Sequence, residues 1–249
     1  MAIRFDFDKV REFLFHPIIL HALGETLTIA ALAMALGIVF GTVLGVMRVS
    51  RNPVASVLAG VYVWFWRGTP VILQLLLMYF GLRQLFEDDL FRDNWTRFRV
   101  GVITFALNEA AYMAEIVRSG MQSVESGQMD AARSLGMTNL QAVRRVILPQ
   151  AFRVMVPPTG NEFIAMLKNT SVLFAIGVVE LLNAARIQAA RSFNFLELYT
   201  VAAFWYLAVT TVFSFAQAEI ERLLSAGERD RPETLFSRAM TILAGRRGM

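Results

Sequence analysis

The sequence predicts an all-α integral membrane protein with about five transmembrane helices. Apolar residues make up 56% of the 249 residues, and the mean hydropathy is +0.50, far above ordinary soluble domains. The chain has no cysteine and only two histidines, His16 and His21, which excludes thiolate metal ligands and argues against a histidine site. Its net charge of +4 fits the basic cytoplasmic loops of membrane proteins, so we predict no metal site and no nucleic-acid partner.

Five segments are long and apolar enough to cross the bilayer core, which needs about 20 residues per helix. They are residues 23–47, 54–82, 100–117, 155–182 and 198–220. The second contains the string RGTP at residues 67–70, which predicts a kinked or interfacial lead-in followed by a deeper helix. The third carries Asn108, Glu109 and Glu115 and is the weakest candidate. We therefore predict five spans, of which one is broken and one is unusually polar.

The first of these segments carries Gly37, Gly41 and Gly45 at intervals of four residues. Such a row of small residues lies on one helix face and lets another helix approach closely. We predict a tight helix contact at this row, either within the subunit or between subunits, rather than a ligand-binding role.

The distribution of Arg and Lys predicts how the chain is oriented in the membrane. Alternate connections contain thirteen such residues on one side and nine on the other. The richer side is expected in the cytoplasm, which places the N-terminus outside and the C-terminus inside. We therefore predict an extracytoplasmic amphipathic segment at 1–19, whose helix ends at Pro17, a transmembrane domain at 20–223 with a cytoplasmic loop at about 120–151, and a cytoplasmic tail at 224–249.

A polar stretch in that loop, DAARSLGMTNLQAVRRVILPQA at residues 130–151, is patterned as two short helices. Gly136 tolerates the positive φ that ends a helix, and Thr138 with Gln141 forms a capping-box pattern that begins the next one. The second helix should extend to Pro149 at most, because the residue before a proline avoids the α region. So short a helix is unstable alone and should dock on a partner. Its apolar stripe consists of Leu140, Val143 and Ile147.

The same stretch resembles the signature loop of the membrane subunits of bacterial ABC importers. In that family Glu-Ala-Ala, three residues, Gly, nine residues and Ile-x-Leu-Pro mark a cytoplasmic coupling hairpin, and here the pattern occurs as DAARSLG, nine residues and VILP. The matching positions are Asp130, Ala131, Ala132, Gly136, Val146, Leu148 and Pro149. Two of them depart conservatively, with Asp in place of Glu and Val in place of Ile. A literal EAA at residues 109–111 lacks the required spacing.

The strings RGTPVILQ, AAYMAEIVRSG and GNEFIAMLKNTSV further resemble the polar amino acid branch of these permeases, and the likeness covers about residues 24–223. The resemblance implies a type I ABC importer permease architecture in the bacterial cytoplasmic (inner) membrane. It implies three partners: a second permease copy or paralogue, an ABC ATP-binding subunit and an extracytoplasmic amino-acid-binding protein. The family frequently has a carboxylate where Asn169 stands, so the resemblance favours glutamate, aspartate or glutamine over a strictly cationic substrate.

ATP-driven transport needs a phosphate-binding loop of the form G-x-x-x-x-G-K-[ST]. Neither lysine of the chain, Lys9 or Lys168, follows such a loop. We therefore predict that the chain has no catalytic residue and no cofactor of its own, and that a partner ATPase binds ATP and Mg. In the family the hairpin inserts into this ATPase. The residues to which we assign ATPase coupling are Asp130, Ala131, Ala132, Gly136, Leu140, Val143, Val146, Leu148 and Pro149.

The fourth apolar segment supplies candidate substrate-pathway residues. Glu162, Met166 and Asn169 share one helix face, and ionisable groups inside a span usually face a cavity or a partner. An amino acid is a zwitterion, so Glu162 can accept its ammonium group and Asn169 can donate or accept hydrogen bonds. Lys168, on the neighbouring face, is a further candidate. The alternative is that Glu162 and Lys168 lie near the membrane interface in a structural role.

Gln74, in the broken second segment, is a weaker pathway candidate. The alternative is a structural role for this region, in which Thr69 and Arg67 cap the backbone groups freed by the break. At the level of function, an ion-coupled secondary transporter is the alternative to an ATP-driven permease. Such transporters usually contain inverted repeats, and the sequence shows no convincing second copy.

Overall fold

The computed structural model describes residues 5–86 and 93–224, and within these ranges the chain is helical and has no strand. The helices are α1 (Phe7–Leu14), α2 (Pro17–Val49), α3 (Pro53–Gly68), α4 (Val71–Leu85), α5 (Arg97–Gln122), α6 (Ser126–Ser134), α7 (Asn139–Ile176), α8 (Leu181–Ser192) and α9 (Phe195–Leu224). Helix α4 contains a π-helical turn at Leu77–Gly81. Helix α7 contains another at Val143–Ile147 and ends in 3-10 turns at Thr170–Ile176.

Three of the described helices, α2, α5 and α9, are each long and apolar enough to cross a membrane. The bent pairs α3–α4 and α7–α8 bring the number to five if each pair is one span, with bends of 102° and 50°. This confirms the predicted all-helical membrane architecture. The predicted break in the second span is also confirmed, because α3 ends at Gly68 and α4 begins at Val71, directly after Pro70.

Helix α5, the weakest candidate by composition, is the most enclosed of the three long spans. In its most apolar window 72% of the residues are buried, against 39% in α2 and 17% in α9. Protein rather than lipid therefore surrounds most of α5, which allows it to carry Asn108 and Glu109 in mid-helix. Its polar composition follows from its central position.

The glycine row on α2 packs directly against α5, so the predicted tight contact lies within the subunit. A Cβ atom added at Gly37, Gly41 or Gly45 would lie only 2.6, 2.4 or 2.6 Å from the nearest side-chain atom of α5. Real Cβ atoms essentially never approach so closely, so these positions admit only glycine without a shift of one helix. The α5 residues that they face are, in order, Glu109, Met113 and Val117.

We expect Gly41→Ala to destabilise the protein, because the new methyl group would lie 2.4 Å from Met113 Cβ and 2.8 Å from the Ala110 carbonyl oxygen. Overpacking of this kind typically costs about 1–3 kcal/mol. The thermal unfolding midpoint of the purified protein in detergent should fall. Gly24→Ala is the matched control on the same helix, since a Cβ there would meet nothing within 4 Å. Equal midpoints for the two variants would contradict the close contact.

Helix α7 shows that the predicted end of the hairpin's second helix at Pro149 is wrong. The helix runs on from Asn139 to Ile176. Its π-helical turn, in which the Leu148 N–H donates to the Val143 carbonyl, directly precedes the proline and makes room for a ring that would otherwise clash with the preceding turn. Within the predicted fourth segment the helix is interrupted after Ile176, because Gly177 adopts a φ of 78° and the chain bends into α8 at Leu181.

The N-terminal helix α1 ends at Leu14, and Pro17 begins α2 instead of ending α1. Proline suits the first turn of a helix, where its missing N–H has no intrahelical acceptor. The segment is tied to α9: the Trp205 indole N–H donates to the Leu14 carbonyl at 2.7 Å, and the Asp6 amide donates to Glu197 at 3.0 Å. Apart from residue 224, the tail predicted at 224–249 lies outside the described residues.

Candidate functional site

A polar cavity of about 260 Å³ lies where the break between α3 and α4 meets α5 and α7. We call it the polar cavity. The break contributes Thr69, Pro70 and Val71; α5 contributes Phe105, Asn108, Glu109 and Tyr112; and α7 contributes Glu162, Met166 and Asn169. Its walls therefore combine carboxylates, amides and hydroxyls with apolar surface.

The structure brings together three of the five predicted pathway residues. Glu162, Met166 and Asn169 line the polar cavity from one face of α7, as their spacing indicated. Lys168 is exposed and does not line it. Gln74 is buried beside the cavity but is not part of its lining. The position of Glu162 in the lining fits the pathway role better than a purely structural one. The position of Lys168 outside the lining fits the structural role better.

Gln74 holds the broken helix together. Its side-chain nitrogen lies 2.7 Å from the Trp66 carbonyl oxygen and 2.8 Å from the Thr69 hydroxyl, and both atoms can accept its protons. Asn108 on α5 donates to the Gln74 side-chain oxygen at 2.9 Å and to the Trp66 carbonyl at 3.1 Å. The backbone groups freed by the break are therefore hydrogen-bonded, as expected, but the side chains of Gln74 and Asn108 make many of these bonds.

The two residues expected to cap this break behave differently from each other. The Thr69 hydroxyl donates to the Phe65 carbonyl at 2.9 Å, as expected. Arg67 is not a cap: its guanidinium carbon lies 5.1 Å from the centroid of the Tyr112 ring, and it makes no hydrogen bond within the described part of the chain. Tyr112 in turn lines the polar cavity.

Sequence reasoning missed Glu109 as a site residue. Its side chain is only 4% exposed, it lines the polar cavity, and its Oε1 atom has no hydrogen-bond partner among the described residues. Electrostatic repulsion links it to Glu162 across the same space. The sequence did contain one indication of this role: Glu109 lies in the middle of a predicted span, where a carboxylate is costly and usually functional.

The chemistry of the polar cavity favours a positively charged group. Glu109 and Glu162 are two carboxylates facing one small space, and among residues 5–86 and 93–224 no Lys or Arg lines it. Buried carboxylates are costly unless a cation or hydrogen-bond donors compensate their charge. Asn108, Asn169 and Tyr112 add neutral polar groups that can orient a solute.

A second, larger cavity of about 920 Å³ lies between α2, α5, α7 and α9. Its lining includes Phe152, Phe163 and Phe213, and none of the described residues that line it is ionisable. Hydrocarbon walls offer no compensation for the desolvation of a charged solute. The larger cavity is therefore a poor candidate for the passage of a polar molecule, despite its size.

The predicted hairpin forms with the local geometry that its sequence indicates. Gly136 follows α6 with a φ of 79°. Its N–H donates to the Arg133 carbonyl at 2.9 Å, and the Met137 N–H donates to the Ala132 carbonyl at 3.1 Å, which together form a Schellman cap. The capping box that begins α7 has both of its hydrogen bonds, between the Thr138 and Gln141 residues. Glycine at 136 is thus required by the backbone.

The predicted coupling residues divide into an exposed and a buried group. Ala132 is buried within the protein, whereas Leu140, at the hairpin tip, is 76% exposed. Two apolar residues outside the predicted coupling set behave in the same two ways: Ile147 is buried, and Leu135 at the tip is 80% exposed. The predicted stripe is therefore split, with Leu140 facing outward and Ile147 inward. The remaining coupling positions are exposed or half-buried: Asp130, Ala131, Gly136, Val143, Val146, Leu148 and Pro149.

Apolar helices long enough to cross a membrane, a small polar cavity between them and a helical hairpin are features expected of a membrane permease. The comparisons make the class specific: residues 37–226 match the family described as binding-protein-dependent transport system inner membrane component. The chain belongs to this family. This confirms the resemblance to ABC importer permeases and identifies the chain as an inner-membrane component rather than an ATPase.

Relatives and solved structures agree with this assignment. The arginine transport system permease protein ArgU of Corynebacterium glutamicum is 41% identical over 98% of this chain and 79% of its own length. The glutamine transport system permease protein GlnP of Escherichia coli K12 is 36% identical over 83% of this chain and 92% of its own. A crystal structure of an amino acid ABC transporter is 36% identical, with a TM-score of 0.80 over 89% of this chain and 99% of that chain.

The MetNI methionine ABC transporter, in an inward-facing conformation, has a TM-score of 0.68 at 21% identity, over 83% of this chain and 96% of that chain, and shows the same fold. These similarities support a multi-pass importer permease. They do not favour the alternative of an ion-coupled secondary transporter. Membership of the family implies an ATP-binding subunit and a substrate-binding protein as partners.

Proposed function

We propose that this chain is the permease subunit of an importer for polar amino acids, and that the amino acid passes through the polar cavity. The observation that carries the proposal is the pair of carboxylates, Glu109 and Glu162, in one cavity that no Lys or Arg of the described residues lines. The α-ammonium group or a cationic side chain of the substrate would supply the missing positive charge. The volume, about 260 Å³, lies just below the range of about 300–1,000 Å³ typical of drug-sized ligands and suits a small solute.

Neutral and cationic amino acids fit this cavity better than acidic ones. Glutamate or aspartate would bring a second carboxylate close to Glu109 and Glu162, where like charges repel at short range. Of the three substrates that the sequence favoured, glutamine therefore fits best. Two of the relatives are named for the transport of arginine and of glutamine, which agrees with this preference.

The helical hairpin is the proposed contact with the ATP-binding subunit. Leu135 and Leu140 expose large apolar side chains at its tip, which is costly in water and is expected where a partner covers them. The ATPase would bind ATP and Mg, and its closure would move the spans of two permease chains, either two copies of this one or this chain with a paralogue. A binding protein would deliver the amino acid from the outer side.

In this arrangement the hairpin and the C-terminal tail lie in the cytoplasm and the N-terminal segment lies outside. We expect a cysteine at Asn139, in the hairpin, to be labelled only from the cytoplasmic side, and one at Ser192, the last residue of α8, only from the outer side. Both positions are exposed, and the chain has no native cysteine to confuse the result. Labelling with a membrane-impermeant maleimide in intact and permeabilised cells provides the measurement. The reverse pattern would invert the proposed orientation.

Uptake by the complete transporter in proteoliposomes tests the proposed function. The complex of permease, ATP-binding subunit and binding protein should accumulate labelled arginine or glutamine when ATP is inside, and unlabelled glutamate should compete poorly. Ionophores that dissipate proton and sodium gradients should leave this uptake intact. Uptake that required an ion gradient and no ATP, or that glutamate inhibited best, would contradict the proposal.

A further inference from the structure

The polar cavity, as described, leaves one end of an amino acid without a charged partner. Glu109 and Glu162 can bind the ammonium group, but a free amino acid also carries an α-carboxylate. In the described part of the chain, the lining residues include neutral hydrogen-bond donors and no cation. Lys168 is exposed outside the lining. A buried carboxylate without a cation would be costly to desolvate, so the cation should come from a residue adjacent to the cavity.

Arg67 is placed to supply it. Its guanidinium carbon lies 5.1 Å from the centroid of the Tyr112 ring, and Tyr112 lines the cavity. Its charge attracts the carboxylate of Glu162, which lines the cavity from the opposite helix. Arg67 lies two residues before Thr69, which is the first residue of the broken helix to line the cavity.

The guanidinium of Arg67 is also available. The side chain is exposed, and it makes no hydrogen bond or ion pair with residues 5–86 or 93–224. Its contact with the Tyr112 ring is a cation–π interaction at an exposed site, which is weaker than a bidentate pair between a guanidinium and a carboxylate. A carboxylate arriving in the cavity could therefore draw the guanidinium away from the ring.

We infer that Arg67 binds the α-carboxylate of the transported amino acid, while Glu109 and Glu162 bind its positively charged groups. The inference rests on the proposed function of the polar cavity. It makes Arg67 a specificity-determining residue that selects amino acids over amines and amino acid amides. The planar guanidinium can donate two parallel hydrogen bonds to a carboxylate, which lysine cannot do.

Protection of an engineered cysteine tests this inference inside the cavity and independently of the binding protein. Val71 lines the cavity beside the break, and the chain has no native cysteine, so Val71→Cys gives one reactive thiol there. The complex of this variant with its ATP-binding subunit is treated with a methanethiosulfonate reagent in the presence of L-arginine or L-argininamide. The concentration of each that halves the labelling rate is compared, and Arg67→Gln is then added.

We expect the Arg67→Gln change to raise the half-protecting concentration of arginine by about tenfold or more, the typical worth of one charge-assisted hydrogen bond. The half-protecting concentration of argininamide, which has no carboxylate, should not rise. The ratio of the two concentrations should therefore shift by about the same factor, and this ratio isolates the pairing of Arg67 with the carboxylate. Arg51→Gln, which removes another exposed arginine that does not line the cavity, should leave the ratio unchanged.

The outcomes separate this inference from the proposed function. If both ligands protect and Arg67→Gln leaves their ratio unchanged, Arg67 does not read the carboxylate, although the cavity still binds amino acids. If neither ligand protects at any concentration, the proposed function fails and the inference fails with it. Should Arg67→Gln not assemble, Arg67→Lys is used instead, because lysine keeps the positive charge but cannot form the two parallel hydrogen bonds of a guanidinium. The ratio of the two half-protecting concentrations in Arg67→Lys must then lie between the wild-type ratio and the ratio expected of a site that does not bind the carboxylate. A wild-type ratio in Arg67→Lys would overturn the inference.

Discussion

Replacing Glu109 and Glu162 together by glutamine is expected to reduce amino acid uptake by more than a hundredfold. Each carboxylate that binds an ammonium or guanidinium group contributes roughly 1.5–3 kcal/mol, which is about tenfold to over a hundredfold in affinity. Glutamine keeps the shape and the hydrogen-bonding capacity of glutamate but removes its charge. Either single variant should lose at least about tenfold, and arginine should be affected more strongly than glutamine.

The measurement is ATP-driven uptake of labelled arginine and glutamine by the reconstituted complex at matched protein amounts. Membrane insertion should be preserved, because removing a charge from a span makes insertion easier. Glu25→Gln serves as the control, since Glu25 lies in the long helix α2 outside the cavity lining. Wild-type uptake by the double variant would show that the carboxylates are structural and that specificity lies in a partner.

The second large effect is expected from Gly136→Val, which should weaken the association of the ATP-binding subunit and reduce transport. Gly136 adopts a φ of 79°. For a residue with a side chain this left-handed conformation costs about 1–2 kcal/mol of conformational free energy, and more when the side chain is β-branched. Nothing lies within 4 Å of the position that its Cβ would occupy, so the effect arises from backbone strain and not from a clash. A penalty of this size lowers the ratio of folded to unfolded hairpin by about 5–30-fold.

We expect the variant to remain in the membrane while copurification of the ATP-binding subunit and uptake both decline. Gly127→Val is the matched control, because Gly127 lies in the adjacent helix α6 with open space around its Cβ position and no positive φ. If Gly136→Val bound the ATPase and transported like wild type, the hairpin could not be the coupling element.

The parts of the fold that the sequence predicted well are those set by local chemistry. The break at RGTP, the positive φ at Gly136 and the capping box at Thr138 each depend on a few adjacent residues. The close packing at Gly41 was also foreseeable, because a row of glycines has few other uses in a membrane helix.

The parts that could not be predicted depend on tertiary context. The π-helical turn that carries α7 through Pro149 contradicts a rule based on the preceding residue alone. The clamp made by Gln74 and Asn108 joins residues from two different spans, so no local pattern announces it. Glu109 was overlooked because its spacing fitted no loop motif, whereas its significance comes from facing Glu162 across the polar cavity.

The most direct test of the account is a cryo-electron microscopy structure of the complete complex with arginine bound. We expect density for the amino acid in the polar cavity, with its positively charged groups within hydrogen-bonding distance of Glu109 and Glu162. Density for arginine elsewhere in the membrane domain, with the polar cavity closed or filled by protein side chains, would contradict it.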